Sequence, residues 1–205
     1  MALALTQAPY RNQALRDLAW LITSPHLMSA RVPGLILPPK DWLDQATERA
    51  ALWLRTLDDQ SAHLNHFLHE DRLSYINAPR LGHYAERLIE FWIAHDPVFH
   101  VLAARRSVVQ SGKTLGDLDI VFACDRHPAV HWEVAVKFYL RAKSSAQWSE
   151  WIGPNPRDRM DQKIERVISH QLPLGTSNAA IASIGSSREP LCSEAFLKGW
   201  LFYPA

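Results

Sequence analysis

Four charged residues stand where strands should carry none. Asp117, Asp119, Glu133 and Lys137 interrupt the stretch from Leu115 to Leu140, LGDLDIVFACDRHPAVHWEVAVKFYL. Otherwise it reads as two apolar strands joined by the polar turn Asp125-Arg126-His127-Pro128. Alternation sets Leu118, Ile120, Phe122 and Cys124 on one face of the first strand. Val130, Trp132, Val134, Val136, Phe138 and Leu140 do the same on the second. Asp117 and Asp119 then share a face of the first strand, and His131, Glu133, Ala135 and Lys137 a face of the second. If the strands pair as a hairpin, an acid cluster and a lysine gather over one sheet. Buried charges are costly unless they pair with each other or bind a metal ion. Apolar residues on both sides of these charges predict two adjacent strands, central in a mixed sheet.

The surrounding elements must hold that hairpin. Residues 1–79 read as a helical segment. Leu15, Leu18, Ala19 and Ile22 form an apolar stripe after Tyr10, and Ser24-Pro25 stops it. Val32-Pro33-Gly34 and Leu37-Pro38-Pro39 make an extended linker. A second helix starts near Asp41, with Leu43, Ala46, Ala50, Leu52, Trp53 and Leu57 as its apolar set. A third passes through Leu64, Phe67 and Leu68. Asn77-Ala78-Pro79 then opens a helix that ends at Asp96-Pro97, with Leu81, Ala85, Leu88 and Trp92 on one face. Val98 to Gln110 reads as a strand turning at Ser111-Gly112-Lys113-Thr114. After a Trp/Gly/Pro-rich loop over 143–157, Asp158 is the expected cap of a helix, with Asp161 three residues on. Met160, Ile164, Val167 and Ile168 are its stripe, and Leu174-Gly175 ends it. Ala179–Ile184 and Phe196–Tyr203 read as strands. From residue 80 the order is helix, strand, strand, strand, helix, strand.

That order, with acids on the second and third strands and a lysine on the third, resembles the PD-(D/E)XK restriction-endonuclease-like superfamily. Gly116-Asp117-Leu118-Asp119-Ile120 and Glu133-Val134-Ala135-Val136-Lys137 carry the likeness. Gly82-His83-Tyr84-Ala85-Glu86-Arg87-Leu88 looks like that superfamily's first helix. More closely, HWEVAVKFYL, GPNPRDRMDQKIERVISHQLPL and FLKGWLFYP resemble the bacterial domain-of-unknown-function family 1853, over nearly the whole chain. The resemblance implies an α/β fold: a restriction-endonuclease-like core over 80–205, α-β-β-β-α-β, its central mixed sheet flanked by helices. It also implies a fragment or a member truncated at its C-terminus. Such a site holds Mg²⁺ or Mn²⁺ on carboxylates, which polarises a phosphate and activates water. Asp119 is then the central ligand, with Glu133, Asp117 and Glu86 as the further acids and Lys137 stabilising developing charge.

The sequence departs from that pattern at one place. The second acid usually lies two residues before the lysine, where Ala135 stands. Glu133 is one strand period further, ~13 Å from Lys137 at ~3.3 Å per residue. Either Glu133 reaches back toward Asp119, or Asp117 substitutes, or the site is inactive. The expected function is Mg²⁺-dependent hydrolysis of DNA phosphodiester bonds; the alternative is an inactive nuclease-fold module that binds nucleic acid or serves as a scaffold.

Other signals are secondary. Arg159, Lys163, Arg166 and His170 fall at i, i+4, i+7 and i+11 on the 158–170 helix, one basic face suited to phosphates. A solvated face paired by Asp161 and Glu165 is the competing reading. His63, His66, His69 and Glu70 have helical spacing that could hold zinc, yet zinc ligands usually come from separated segments, so a polar face is favoured. Gly112-Lys113-Thr114 is not a phosphate loop: Ser107 stands where the first glycine belongs, and a strand follows. Trp148 and Trp151 could stack on bases, though loop packing is the commoner role. Cys124 reads as a small core residue.

Composition sets the outer limits. The 205 residues fit one domain or one with a helical extension, and 47% apolar content suffices for a core. A net charge of +1 gives no global attraction to nucleic acid or membrane, so any basic site is local. Two cysteines, Cys124 and Cys192, are too few for a disulfide scaffold. A reducing, cytoplasmic setting is expected. The N-terminus carries no secretory pattern, and no apolar run reaches the ~20 residues of a membrane span.

Overall fold

The computed structural model describes residues 10–58, 61–69, 81–142, 147–185 and 191–204. The apolar stripe after Tyr10 forms helix α1, Gln13–Thr23. The Asn12 side chain accepts from Leu15 N at 3.2 Å and caps the helix start. Ser24 ends it ahead of Pro25, donating its N–H to Trp20 O at 2.9 Å. Helices α2, Lys40–Leu57, and α3, Ser61–His69, follow. Leu54, not Leu52, turns inward on α2. Leu52 is 69% exposed, because it lies off the stripe set by Leu43, Ala46, Ala50 and Leu57. Helix α4, Leu81–His95, presents Ala85, Leu88, Ile89 and Trp92 to the core. Its expected start at Asn77-Ala78-Pro79 lies outside the described residues.

The sheet is mixed. Strand β1, His100–Gln110, pairs antiparallel with β2, Lys113–Ala123, and β2 with β3, Val130–Arg141. The turn between β1 and β2 uses positive φ at Ser111 and Gly112, 50° and 76°. The two-residue β4, Trp151–Ile152, pairs with the far end of β3. Strand β5, Cys192–Phe202, runs parallel to β3 along its whole length. The two charge-bearing strands are therefore adjacent and central, as the alternation predicts.

Helices cover both faces. On one, α1, α2, α3 and α4 share a cluster with Ile120, Phe122, Val130, Trp132, Val134, Val136 and Phe196. On the other, Ala135, Tyr139, Ala195 and Leu197 meet Met160, Ile164 and Val167. Those last three belong to helix α5, Met160–Arg166, and to the π-helical turn Val167–Gln171 that continues it. The short α6, Leu172–Gly175, completes the rod. Leu118 joins neither large cluster. It packs with Val108, Leu174 and Ala180, because β2 pairs with β3 only from Ile120 onward.

Two expected boundaries move. Ala179–Ile184 is not a strand but part of helix α7, Asn178–Ile184. The Ser177 hydroxyl caps it, accepting from Ala180 N at 3.1 Å, its alanines favour helix, and Gly185 stops it at φ 69°. Arg159, not Asp158, is the N-cap residue of α5. Asp158 faces β3 instead, as described below. No helix among the described residues is long and apolar enough to cross a membrane.

Candidate functional site

The chemistry collects where β2 and β3 separate. Their ladder holds at Phe122↔Val130, Val121↔His131 and Ile120↔Trp132. The next backbone donor on that edge, Val134 N, goes to a side chain instead: Asp119 Oδ2 accepts from it at 2.8 Å. Strand β4 rejoins the same edge only at Leu140. Between these points the sheet is open, and Asp119 closes its upper end. A carboxylate in place of a backbone carbonyl satisfies the buried donor and brings a charge to the gap.

Glu133 lies next to this point and is 2% exposed. Its Oε1 accepts from Lys163 Nζ at 3.2 Å and from Gln171 Nε2. Gln171 Oε1 in turn accepts from Lys163 Nζ at 3.0 Å. Glu133 Oε2 is buried and no nitrogen or hydroxyl donor among the described residues reaches it; a hydrogen bond links the Glu133 carboxyl to that of Asp119 instead, which needs a proton between them. Glu86 comes from α4, half-buried, with His83 Nδ1 3.4 Å from its Oε2.

The three carboxyls shift one another. Burial holds Asp119 well above the usual carboxylate range, and the charges of Glu133 and Glu86 push it the same way. Burial also raises Glu133, against the opposing pull of Lys163, Arg166 and a hydrogen bond with Asp119. Burial, then the charge of Glu133, raises Glu86. Desolvation and like charge both favour the neutral acid, so the crevice resists carrying its full negative charge.

The structure thus brings Asp119, Glu133 and Glu86 together. Lys137 is held elsewhere: its Nζ donates to Asp158 Oδ2 at 2.6 Å, and Tyr139 Oη donates to Asp158 Oδ1 at 3.3 Å. The ammonium at the acids is that of Lys163. Asp117 lies at the margin, exposed, accepting from Ser107 Oγ at 2.5 Å. It still contributes to the rise at Glu86.

The expected basic face is divided. Arg159 pairs with Asp161, Lys163 turns inward to Glu133, and Arg166 and His170 stay exposed. Nothing in a regular helical period marked Gln171 as a partner of Lys163. The π turn, a frequent companion of functional sites, is what joins them.

The remaining candidates have other surroundings. His63 rests edge-on against Phe91 and His95, with ring centroids 5.6 and 5.0 Å away. Glu70 lies outside the described residues. Trp151 is buried against Tyr203, and Trp148 is exposed. Cys124 packs half-buried against the main cluster. Among the described residues, no three His, Cys, Asp or Glu side chains stand at metal-ligand spacing. No curated protein and no solved structure matches the chain. The family described as "domain of unknown function (DUF1853)" matches residues 16–205, and the chain belongs to that family.

Proposed function

We propose that this protein is a metal-dependent nuclease, hydrolysing phosphodiester bonds of DNA at the crevice between β2 and β3. The observation that carries the reading is the buried Glu133 Oε2, which no nitrogen or hydroxyl donor among the described residues reaches, in a cluster with Asp119 and Glu86. A carboxylate oxygen without a donor in a desolvated acid cluster calls for a proton or a cation. Support also comes from the order of the long elements, α4-β1-β2-β3-α5-β5, which resembles that of restriction-endonuclease-like cores once the two-residue β4 and the short α6 and α7 are set aside.

Asp119 and Glu133 fit Mg²⁺ or Mn²⁺ as a two-carboxylate site, with Glu86 behind them. Mg²⁺ commonly takes one or two protein carboxylates and fills its other positions with water and substrate phosphate. That donor set needs no third protein ligand, and among the described residues no group of three could hold an ion. The ion supplies a polarised phosphate and an activated water. Lys163 takes the role expected of Lys137: its ammonium, next to Glu133, stabilises charge growing on the phosphate. Ala135, on the same strand face as Glu133, presents only a methyl group. Arg166 and His170, exposed beyond Lys163, offer contacts to the DNA backbone.

A second reading has its own observation. Lys137 is consumed by Asp158 and Lys163 by Glu133, as in a fold that has lost catalysis but still binds nucleic acid. Calorimetry with Mn²⁺, together with cleavage assays on single- and double-stranded DNA, separates the two. The nuclease reading expects metal binding that Asp119→Asn weakens and cleavage that it abolishes. No heat with millimolar Mn²⁺ and no metal-dependent cleavage by the unmodified chain would leave the noncatalytic reading.

A further inference from the structure

The π turn has a geometric consequence for the acid crevice. A regular α-helix advances about 100° per residue, so positions eight apart point about 80° away from each other. Lys163 and Gln171 are eight apart, yet both reach Glu133 Oε1, and they touch each other at 3.0 Å. The turn Val167–Gln171 explains this. Leu172 N donates to Val167 O, a five-residue step. One residue is thereby absorbed as a bulge, and the pair behaves as if seven apart, within about 20° of one face. His170 is turned out of the face that a straight helix would give it.

We propose that Gln171 is the positioning residue of this site. Its Nε2 fixes Glu133 Oε1 while its Oε1 holds the Lys163 ammonium, so Glu133 Oε2 is the oxygen left to share a cation with Asp119. This rests on the nuclease reading and adds a residue to it. The amide can do both because it carries a donor and an acceptor on one planar group. Neither a lysine nor a carboxylate in its place could serve Glu133 and Lys163 together. Gln171 is half-buried and acts through Glu133 and Lys163, not on the DNA.

The test uses the full chain and three substitutions, with Mn²⁺ affinity by calorimetry and steady-state cleavage of DNA as readouts. Gln171→Leu keeps the size and removes both hydrogen bonds. It should weaken Mn²⁺ by about 10-fold or more, the usual effect of losing a residue that orients a metal ligand. It should lower kcat while KM for DNA stays unchanged. Gln171→His, which again offers a donor and an acceptor, should recover part of both losses. Lys163→Met should lower kcat with a smaller effect on Mn²⁺. Gln171→Leu with wild-type Mn²⁺ affinity and kcat, whatever its melting temperature, overturns the proposal and leaves the nuclease reading standing. A wild-type chain silent to Mn²⁺ and DNA overturns both, and the two failures are told apart by the wild-type control.

Discussion

Lys163→Met isolates the electrostatics of the crevice from any reaction. The substitution removes an ammonium 3.2 Å from Glu133 Oε1 and preserves most of the side-chain volume. Lys163 is 17% exposed and Glu133 3% at their side chains, so the pair is shielded from water. Removing one partner of a buried ion pair costs about 3–5 kcal/mol, because the other charge is stranded. Here Gln171 still donates to Glu133, and Glu133 can take a proton, so the expected loss is about 2–3 kcal/mol near pH 8. In a chain of this length that is a fall in Tm of roughly 4–12 °C. Without Lys163, the pKa of Glu133 rises further, since Lys163 is among the groups that now lower it. The penalty is therefore present above the folded pKa of Glu133 and fades as the pH falls through it. Thermal melts from pH 4.5 to 8.5 measure this. Adding Glu133→Gln to Lys163→Met should recover much of the loss, which a double-mutant cycle reads as coupling. A Tm within 1 °C of wild type at pH 8, or a deficit that does not vary with pH, would refute the reasoning.

Three further outcomes follow from the same coordinates. Asp119→Asn should make the metal-free protein more stable relative to wild type at pH 8 than at pH 4. A carboxyl whose folded pKa is raised contributes stability below its unfolded pKa and loses it as pH rises through the folded value; equal differences at both pH values would count against it. Lys198 is fully buried, donates to Ser24 O at 2.5 Å, and is pushed down to about 7 by burial. The unfolded chain then holds more protons between about pH 7 and 10, so wild-type stability should gain on Lys198→Met across that window by on the order of a few kcal/mol, and a flat difference would contradict it. Gly175→Ala should lower stability by about 1–3 kcal/mol in urea melts, because its Cβ would stand 2.5 Å from His131 Nδ1 and 2.6 Å from Ser193 Oγ.

Period and alternation carried the strands and most helices. Leu15, Leu18, Ala19 and Ile22 are all buried, and the inward residues of β3 from Val130 to Val136 lie in the main cluster. Charges on otherwise apolar strands pointed to Asp119 and Glu133 for a sound reason: the desolvation penalty makes such placements rare unless they are used. The departures have separate physical causes. Alternation assigns a face but not a position along a twisted strand, so it put Lys137 with Glu133, whereas Asp158, from the loop before α5, holds it. A fixed 3.6 period puts Lys163 and His170 on one face, whereas a single absorbed residue brings Gln171 to Lys163 in place of His170. Ala179–Ile184 was misread because its short apolar run has no periodicity to separate strand from helix; the Ser177 cap decides it.

The two irregularities serve one geometry. A fully paired β2–β3 ladder would give Val134 N a backbone acceptor and leave Asp119 no donor to hold. Because the ladder is open before Ile120 on β2 and beyond Trp132 on β3, Asp119 Oδ2 takes that donor, and the second carboxylate oxygen remains for a ligand or a proton. A straight helix would leave Glu133 with Lys163 alone, one flexible stem on one oxygen. Because the helix bulges at Val167–Gln171, a short planar amide braces both. Each break in regular structure thus fixes one carboxylate by one oxygen, on opposite sides of the same gap. Such departures are tolerated when surrounding packing over-determines them. Here Ile120 and Trp132 on one side of the sheet, and Ile164 and Val167 on the other, are 2% exposed or less. The acids are therefore held on rigid elements, and replacing Gln171, the brace that is a side chain, should disturb Glu133 before it disturbs the fold.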